Sequence, residues 1–117
     1  MQRPRILIGV LSAVRHSQRR AACLASWAAA VASVDLVFLL GDRDACAPRR
    51  RGRLLFLPCR DDYRSLPQKS TWFCRWAVRY VDFDYLFRCD DDAYVAVDRL
   101  LDAQFTSPYV GYDLGGY

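Results

Sequence analysis

The sequence predicts an α/β fold in which a mainly parallel sheet is flanked by helices. Three observations carry that prediction. Short, uninterrupted apolar runs such as Ile6-Leu7-Ile8-Gly9-Val10-Leu11 and Val37-Phe38-Leu39-Leu40 read as strands buried on both faces. Stretches with apolar residues at helical spacing separate them, as crossover helices separate parallel strands. Polar and charged residues (Ser12, Asp42, Asp90-Asp91-Asp92) follow the strands directly. Sheets of this kind bind ligands at the carboxyl ends of their strands.

The 117 residues suit one small domain over residues 1–117, and 53% hydrophobic with 14% aromatic content suffices for a packed core. The first strand is expected over Arg5–Leu11. Its charged leader and apolar run also resemble a signal peptide, but a polar, Arg-bearing helix start follows and favours a strand. A helix is expected from about Ser17 to Ser33, with Cys23, Trp27, Ala30 or Val31, and Val34 as its buried stripe. Arg20 lies one turn earlier, near the helix start and the end of the first strand. A helix N-terminus and an arginine together make an anion site.

Asp35–Leu40 reads as a second strand ended by Gly41-Asp42, residues 44–53 as a loop, and Leu54–Leu57 as a third strand stopped by Pro58. The basic cluster Arg49-Arg50-Arg51-Gly52-Arg53 comes with no nucleic-acid module, so a solvated loop is preferred and no nucleic-acid partner is expected. Ser65 is placed as the N-cap of a second helix, Gln68 as its capping-box partner and Pro67 in the tolerated first turn. The helix continues to about Tyr80 on a stripe of Leu66, Phe73, Trp76 or Ala77, and Tyr80. Lys69 stands in its first turn, the single lysine among sixteen arginines. A fourth strand, Tyr85–Cys89, delivers the three aspartates. Residues 97–103 read as a short helix or turn, and 109–112 as a further strand.

Asp90, Asp91 and Asp92 repel one another, and carboxylates beside a core are normally paired or metal-bound. Mg²⁺ and Mn²⁺ take oxygen ligands, commonly one or two carboxylates plus a phosphate. With Arg20 and Lys69 on the same rim, the pattern suits a diphosphate bridged by a metal. An acidic surface turn is the alternative. Five cysteines without a CxxC pair argue against zinc. Cys23, Cys74 and Cys89 read as core residues, while Cys46 and Cys59 could pair in an oxidising compartment. No apolar run approaches the length of a membrane span.

Four blocks resemble the β-1,3-galactosyltransferase and Fringe-like glycosyltransferases of family 31. They are Arg19-Arg20 with Ser26-Trp27; Val37-Phe38-Leu39-Leu40-Gly41; Asp61-x-Tyr63-x-x-Leu66-x-x-Lys69-Ser70; and Arg88-Cys89-Asp90-Asp91-Asp92-Ala93-Tyr94-Val95. The resemblance implies a Rossmann-like GT-A fold, here its nucleotide-sugar-binding half. It also implies inverting transfer of a hexose, galactose or N-acetylglucosamine, from a UDP-sugar to a glycan or glycoprotein, dependent on Mn²⁺, with Mg²⁺ as an alternative. On this resemblance Asp92 binds the metal, Asp90 and Asp91 contact the ribose or reach the metal through water, and Arg20 and Lys69 help seat or order the nucleotide end. Ser12 and Asp42 join the nucleotide-sugar site by position. Leu24 replaces the family's second helix arginine, Ser65 an asparagine and Ser70 a threonine. The acceptor half, with the usual catalytic Asp or Glu that serves as general base and a metal-binding histidine, would follow the present residues, and His16 lies too early to match it. No catalytic base is named. A nucleotide-sugar-binding module without transferase activity, a degenerate or truncated relative or a half-domain that needs a missing C-terminal half as partner, is the second reading; exposed apolar surface and self-association are expected in addition. A Golgi membrane location is implied by the resemblance, and a cytoplasmic one otherwise.

Overall fold

The computed structural model describes residues 5–27, 34–93 and 95. Five strands form one sheet: β1 (Ile6–Leu11), β2 (Val34–Gly41), β3 (Arg49–Arg51), β4 (Leu54–Leu57) and β5 (Tyr85–Asp90). Helix α1 (Ser17–Ser26) lies between β1 and β2, and α2 (Leu66–Tyr80) between β4 and β5. The strand order is β3-β4-β2-β1-β5, with every pair parallel except β3 and β4. This is the predicted mainly parallel α/β sheet, with a Rossmann-like arrangement of strands and helices.

The continuous apolar runs are explained by helices on both faces. Along β1, Ile6, Ile8 and Val10 pack with Cys23 of α1 and Trp27 at its C-cap, while Leu7 and Leu11 pack with Phe73, Trp76 and Ala77 of α2. The chain steps outward from β1 through β2 to β4, then returns across the sheet to place β5 on the other side of β1. The strand order therefore reverses between β1 and β5. A crevice opens at their carboxyl ends, where such sheets bind ligands. The register sets Leu11 opposite Asp90, so Ser12 and Asp91 emerge side by side.

Several expectations are corrected. Residues 44–53 are not wholly a loop, because Arg49–Arg51 pairs with β4 as an edge strand. Arg51 opposes Leu54 across the two-residue turn Gly52-Arg53, and Gly52 supplies the required positive φ of 62°. Exposed arginines on an edge also discourage further strand pairing. Ser65 makes no side-chain cap; its hydroxyl instead donates to Asp62 at 2.8 Å, closing a 3₁₀ turn (Tyr63–Ser65) ahead of α2. The expected Ser65–Gln68 box therefore does not form. Tyr80 is 67% exposed beneath the Arg79 guanidinium, and Cys74 lies on the solvent side of α2. The stripe turns through Lys69, Phe73, Trp76 and Ala77 instead. Val34 opens β2 rather than continuing the first helix. All five cysteines, Cys46 and Cys59 included, are free. The expected helix residues 28–33 and the elements at 97–103 and 109–112 lie outside the described residues.

Candidate functional site

The three aspartates are not equivalent. At the end of β5 the chain turns, so Asp91 is 6% exposed while Asp90 and Asp92 face solvent. The Asp91 carboxylate accepts hydrogen bonds from Ser12 Oγ at 2.9 Å, His16 Nδ1 at 3.0 Å and Arg19 Nη1 at 3.4 Å. Its backbone is fixed as well. The Asp91 N–H donates to Leu11 O, Cys23 Sγ donates to Asp91 O, and Trp27 Nε1 donates to Ala93 O, each at 3.1 Å. The buried stripe of α1 thus holds the acidic loop in place.

Asp90 has no such compensation. Burial, then repulsion from Asp92 and Asp91, raises its pKa above the ordinary carboxylate value, and Arg88 offsets this only in part. Behind the loop, burial pushes Cys23 up and Cys89 up to about 12, so both remain protonated thiols. Neither is suited to nucleophilic chemistry, which needs the thiolate.

A second carboxylate closes the opposite wall. Lys69 is 1% exposed, and its ammonium donates to Asp61 Oδ1 at 2.9 Å and Ser12 O at 2.7 Å. Asp61 also accepts the Gly41 N–H at 2.7 Å and the Val14 N–H at 2.6 Å. Burial alone would raise the Asp61 pKa, but these backbone donors and Lys69 outweigh it and hold it below the usual range. Gly41 is required here, because a Cβ would lie 2.5 Å from Arg60 O. Asp61 and Lys69 therefore tie the ends of β1 and β2 to the first turn of α2.

The crevice between these walls has a volume of about 260 Å³. Of the residues expected from sequence, Ser12, Lys69, Asp90, Asp91 and Asp92 line it. Arg20 and Asp42 do not. The Arg20 guanidinium donates to Ala13 O, to Val14 O at 3.2 Å and to Ser12 Oγ at 3.3 Å, bracing the β1–α1 connection. Asp42 accepts the Asp44 N–H at 3.1 Å in its own turn. His16, Arg15, Arg19, Asp61 and Asp62 also line the crevice. Sequence reasoning gave none of these a role. Arg19 and Asp61 stood in recognised motif blocks, whereas nothing local marked His16, which meets Asp91 from 75 positions away.

The charge pattern limits what the crevice can hold. Five aspartates face three fixed cations, and two of those cations, Lys69 and Arg19, already answer Asp61 and Asp91. Asp62, Asp90 and Asp92 are left facing Arg15. A bare diphosphate would meet net negative charge. Among the described residues no group of three or more histidine, cysteine or acidic side chains is arranged to hold a metal alone. Two exposed carboxylates fit a shared site instead, in which a ligand phosphate completes the shell of a hard divalent cation.

A sequence model of the galactosyltransferase family matches residues 18–106. The chain is 29% identical over 113 residues to the hydroxyproline O-galactosyltransferase GALT2 of Arabidopsis thaliana, covering 83% of this chain and 16% of that protein. It is 31% identical over 107 residues to beta-1,3-galactosyltransferase 6 of Mus musculus, covering 79% of this chain and 33% of that protein. A third similarity, 36% over 52 residues, is to UDP-GalNAc:beta-1,3-N-acetylgalactosaminyltransferase 2 of Danio rerio, covering 44% of this chain and 11% of that protein. The chain thus spans a third or less of the length of these relatives. With the matched region running from the α1 residues past the acidic loop, the chain belongs to the galactosyltransferase family, glycosyltransferase family 31.

Proposed function

We propose that the chain forms the sugar-nucleotide-binding part of a glycosyltransferase. The activity is transfer of a hexose, galactose or N-acetylglucosamine, from a UDP-sugar to a glycan or glycoprotein hydroxyl with inversion, using Mn²⁺ or Mg²⁺. The observation that carries this reading is the pair of under-neutralised carboxylates, Asp90 and Asp92, at the strand switch point of a galactosyltransferase-family sheet. Asp92, with Asp90, would hold the cation, which supplies Lewis-acid stabilisation of charge on the departing diphosphate. Asp91 positions that loop through Ser12, His16 and Arg19. Lys69 and Arg20 act one step back from the ligand: Lys69 fixes Ser12 and Asp61, and Arg20 fixes the Ser12–Val14 backbone. The crevice is smaller than the roughly 300–1,000 Å³ of pockets that enclose a whole small ligand, which suits the charged middle of a sugar nucleotide.

No helix among the described residues is long and apolar enough to cross a membrane. Family membership favours a Golgi setting for the enzyme. The test is release of UDP from UDP-galactose and UDP-N-acetylglucosamine in Mn²⁺, with and without acceptor glycans. Acceptor-dependent release supports a transferase. Metal-dependent UDP binding without turnover makes the chain a nucleotide-sugar-binding module. Absence of both contradicts the reading.

A further inference from the structure

We propose that His16 is a ligand-reading residue of the crevice, its Nε2 lone pair accepting a hydrogen bond from a hydroxyl of the bound sugar nucleotide. This rests on the sugar-nucleotide reading above and adds to it a contact that reads hydroxyl rather than charge.

The tautomer follows from the partners. Asp91 receives Ser12 Oγ, His16 Nδ1 and Arg19 Nη1 on its two oxygens. Arg19 can only donate, and an ionised carboxylate can only accept. Ser12 Oγ accepts from Arg20 Nη1 and spends its own proton on Asp91. With Arg19 beside it, Asp91 is a carboxylate, and His16 must present Nδ1–H to it. In the neutral ring, which carries one N–H, that bond leaves Nε2 as an acceptor. Among the described residues no hydrogen bond reaches Nε2, although His16 lines the crevice and is 26% exposed.

An oriented imidazole with a bare Nε2 has two ordinary uses, ligating a metal or accepting from a hydroxyl. The first is disfavoured, since Mg²⁺ and Mn²⁺ prefer oxygen ligands to imidazole. Phosphate oxygens are acceptors and gain nothing from a second acceptor. The ribose and the hexose are the hydroxyl donors of a sugar nucleotide. The partly buried bond to Asp91 also orients the ring before binding.

The test compares wild type with His16→Ala and His16→Gln by calorimetry in saturating Mn²⁺. The ligands are pyrophosphate, UDP and UDP-galactose. Pyrophosphate, which lacks a sugar hydroxyl, should bind wild type and His16→Ala within about twofold. The His16→Ala variant should lose about five- to tenfold for a hydroxyl-bearing ligand, the worth of one hydrogen bond. His16→Gln, which keeps an acceptor near the Nε2 position, should recover part of that loss. A loss already present with UDP assigns the contact to the nucleoside, with 2′,3′-dideoxy-UDP separating ribose hydroxyls from the uracil N–H, and one seen only with UDP-galactose assigns it to the hexose; a loss kept in full by the dideoxy ligand would overturn the hydroxyl assignment. Equal losses for pyrophosphate and the nucleotides would make His16 a support for Asp91 and overturn the proposal. So would unchanged affinity for all three ligands. Failure of wild type to bind UDP in Mn²⁺ would overturn the sugar-nucleotide reading itself. UDP binding that ignores His16 would overturn only this inference.

Discussion

Two acidic regions meet at the crevice, and they are built in opposite ways. On the α2 side, Asp61 is fully answered by two backbone N–H groups and the buried Lys69 ammonium. On the β5 side, Asp91 is answered, but Asp90 and Asp92 are left exposed with charge to spare. The first arrangement holds the ends of three elements together. The second stores repulsion that a bound cation can relieve. Both regions stand at the strand ends, and the state of their hydrogen bonds is what distinguishes them.

Breaking the lock should have the largest effect. Asp61→Ala strips Lys69 of its carboxylate while leaving the ammonium buried, and frees the Val14 and Gly41 N–H groups. A loss of about 3–5 kcal/mol is expected in urea unfolding, the range for breaking a buried ion pair. A change below about 1 kcal/mol would mean that Lys69 finds water and the lock is cosmetic. Asp91→Ala should cost less, roughly 1–3 kcal/mol, because Arg19 and His16 can turn outward and only Ser12 is wholly buried.

These roles explain how far the residues could be read in advance. Strands β1, β2 and β4 were legible because burial on both faces demands continuous apolar runs, and the helices because their stripes repeat. Strand β3 was not: Arg49-Arg50-Arg51 is polar on an edge and is strand only because Gly52 turns it onto β4, a signal present as a Gly-X pair ahead of Leu54. The acidic loop was visible as three adjacent charges. Its inward and outward division was not, since that depends on Ser12, His16 and Arg19 arriving from α1 and its approach. Lys69 was visible as the single lysine at a helix start, but its partners, Ser12 O and Asp61, were not, because the fold sets them.

Acid titration should sharpen the comparison. The Asp61 carboxyl is held below its ordinary value in the folded chain, so the unfolded chain takes up the proton first as pH falls. Its stabilisation is present above the unfolded value of about 3.9 and is lost as pH drops through the lower folded value. Asp35 is depressed in the same sense, by its hydrogen bonds from Arg50. Unfolding free energies measured from pH 6 to pH 2 should fall below about pH 4. The Asp61→Asn variant should show a shallower fall from a lower start. An identical slope would assign acid sensitivity to other groups.

The smallest effect on stability is expected where the effect on binding is greatest. Asp92 is exposed and makes no hydrogen bond among the described side chains, so Asp92→Ala should unfold within about 0.5 kcal/mol of wild type. The deciding measurement is calorimetric titration of UDP into wild type and Asp92→Ala, each in Mn²⁺ and again in excess chelator. Wild type should bind only with the metal. Asp92→Ala should lose about tenfold or more in affinity, since even removal of groups behind metal ligands costs 10–100-fold. UDP binding that survives the chelator, or that Asp92→Ala leaves intact, would contradict the account.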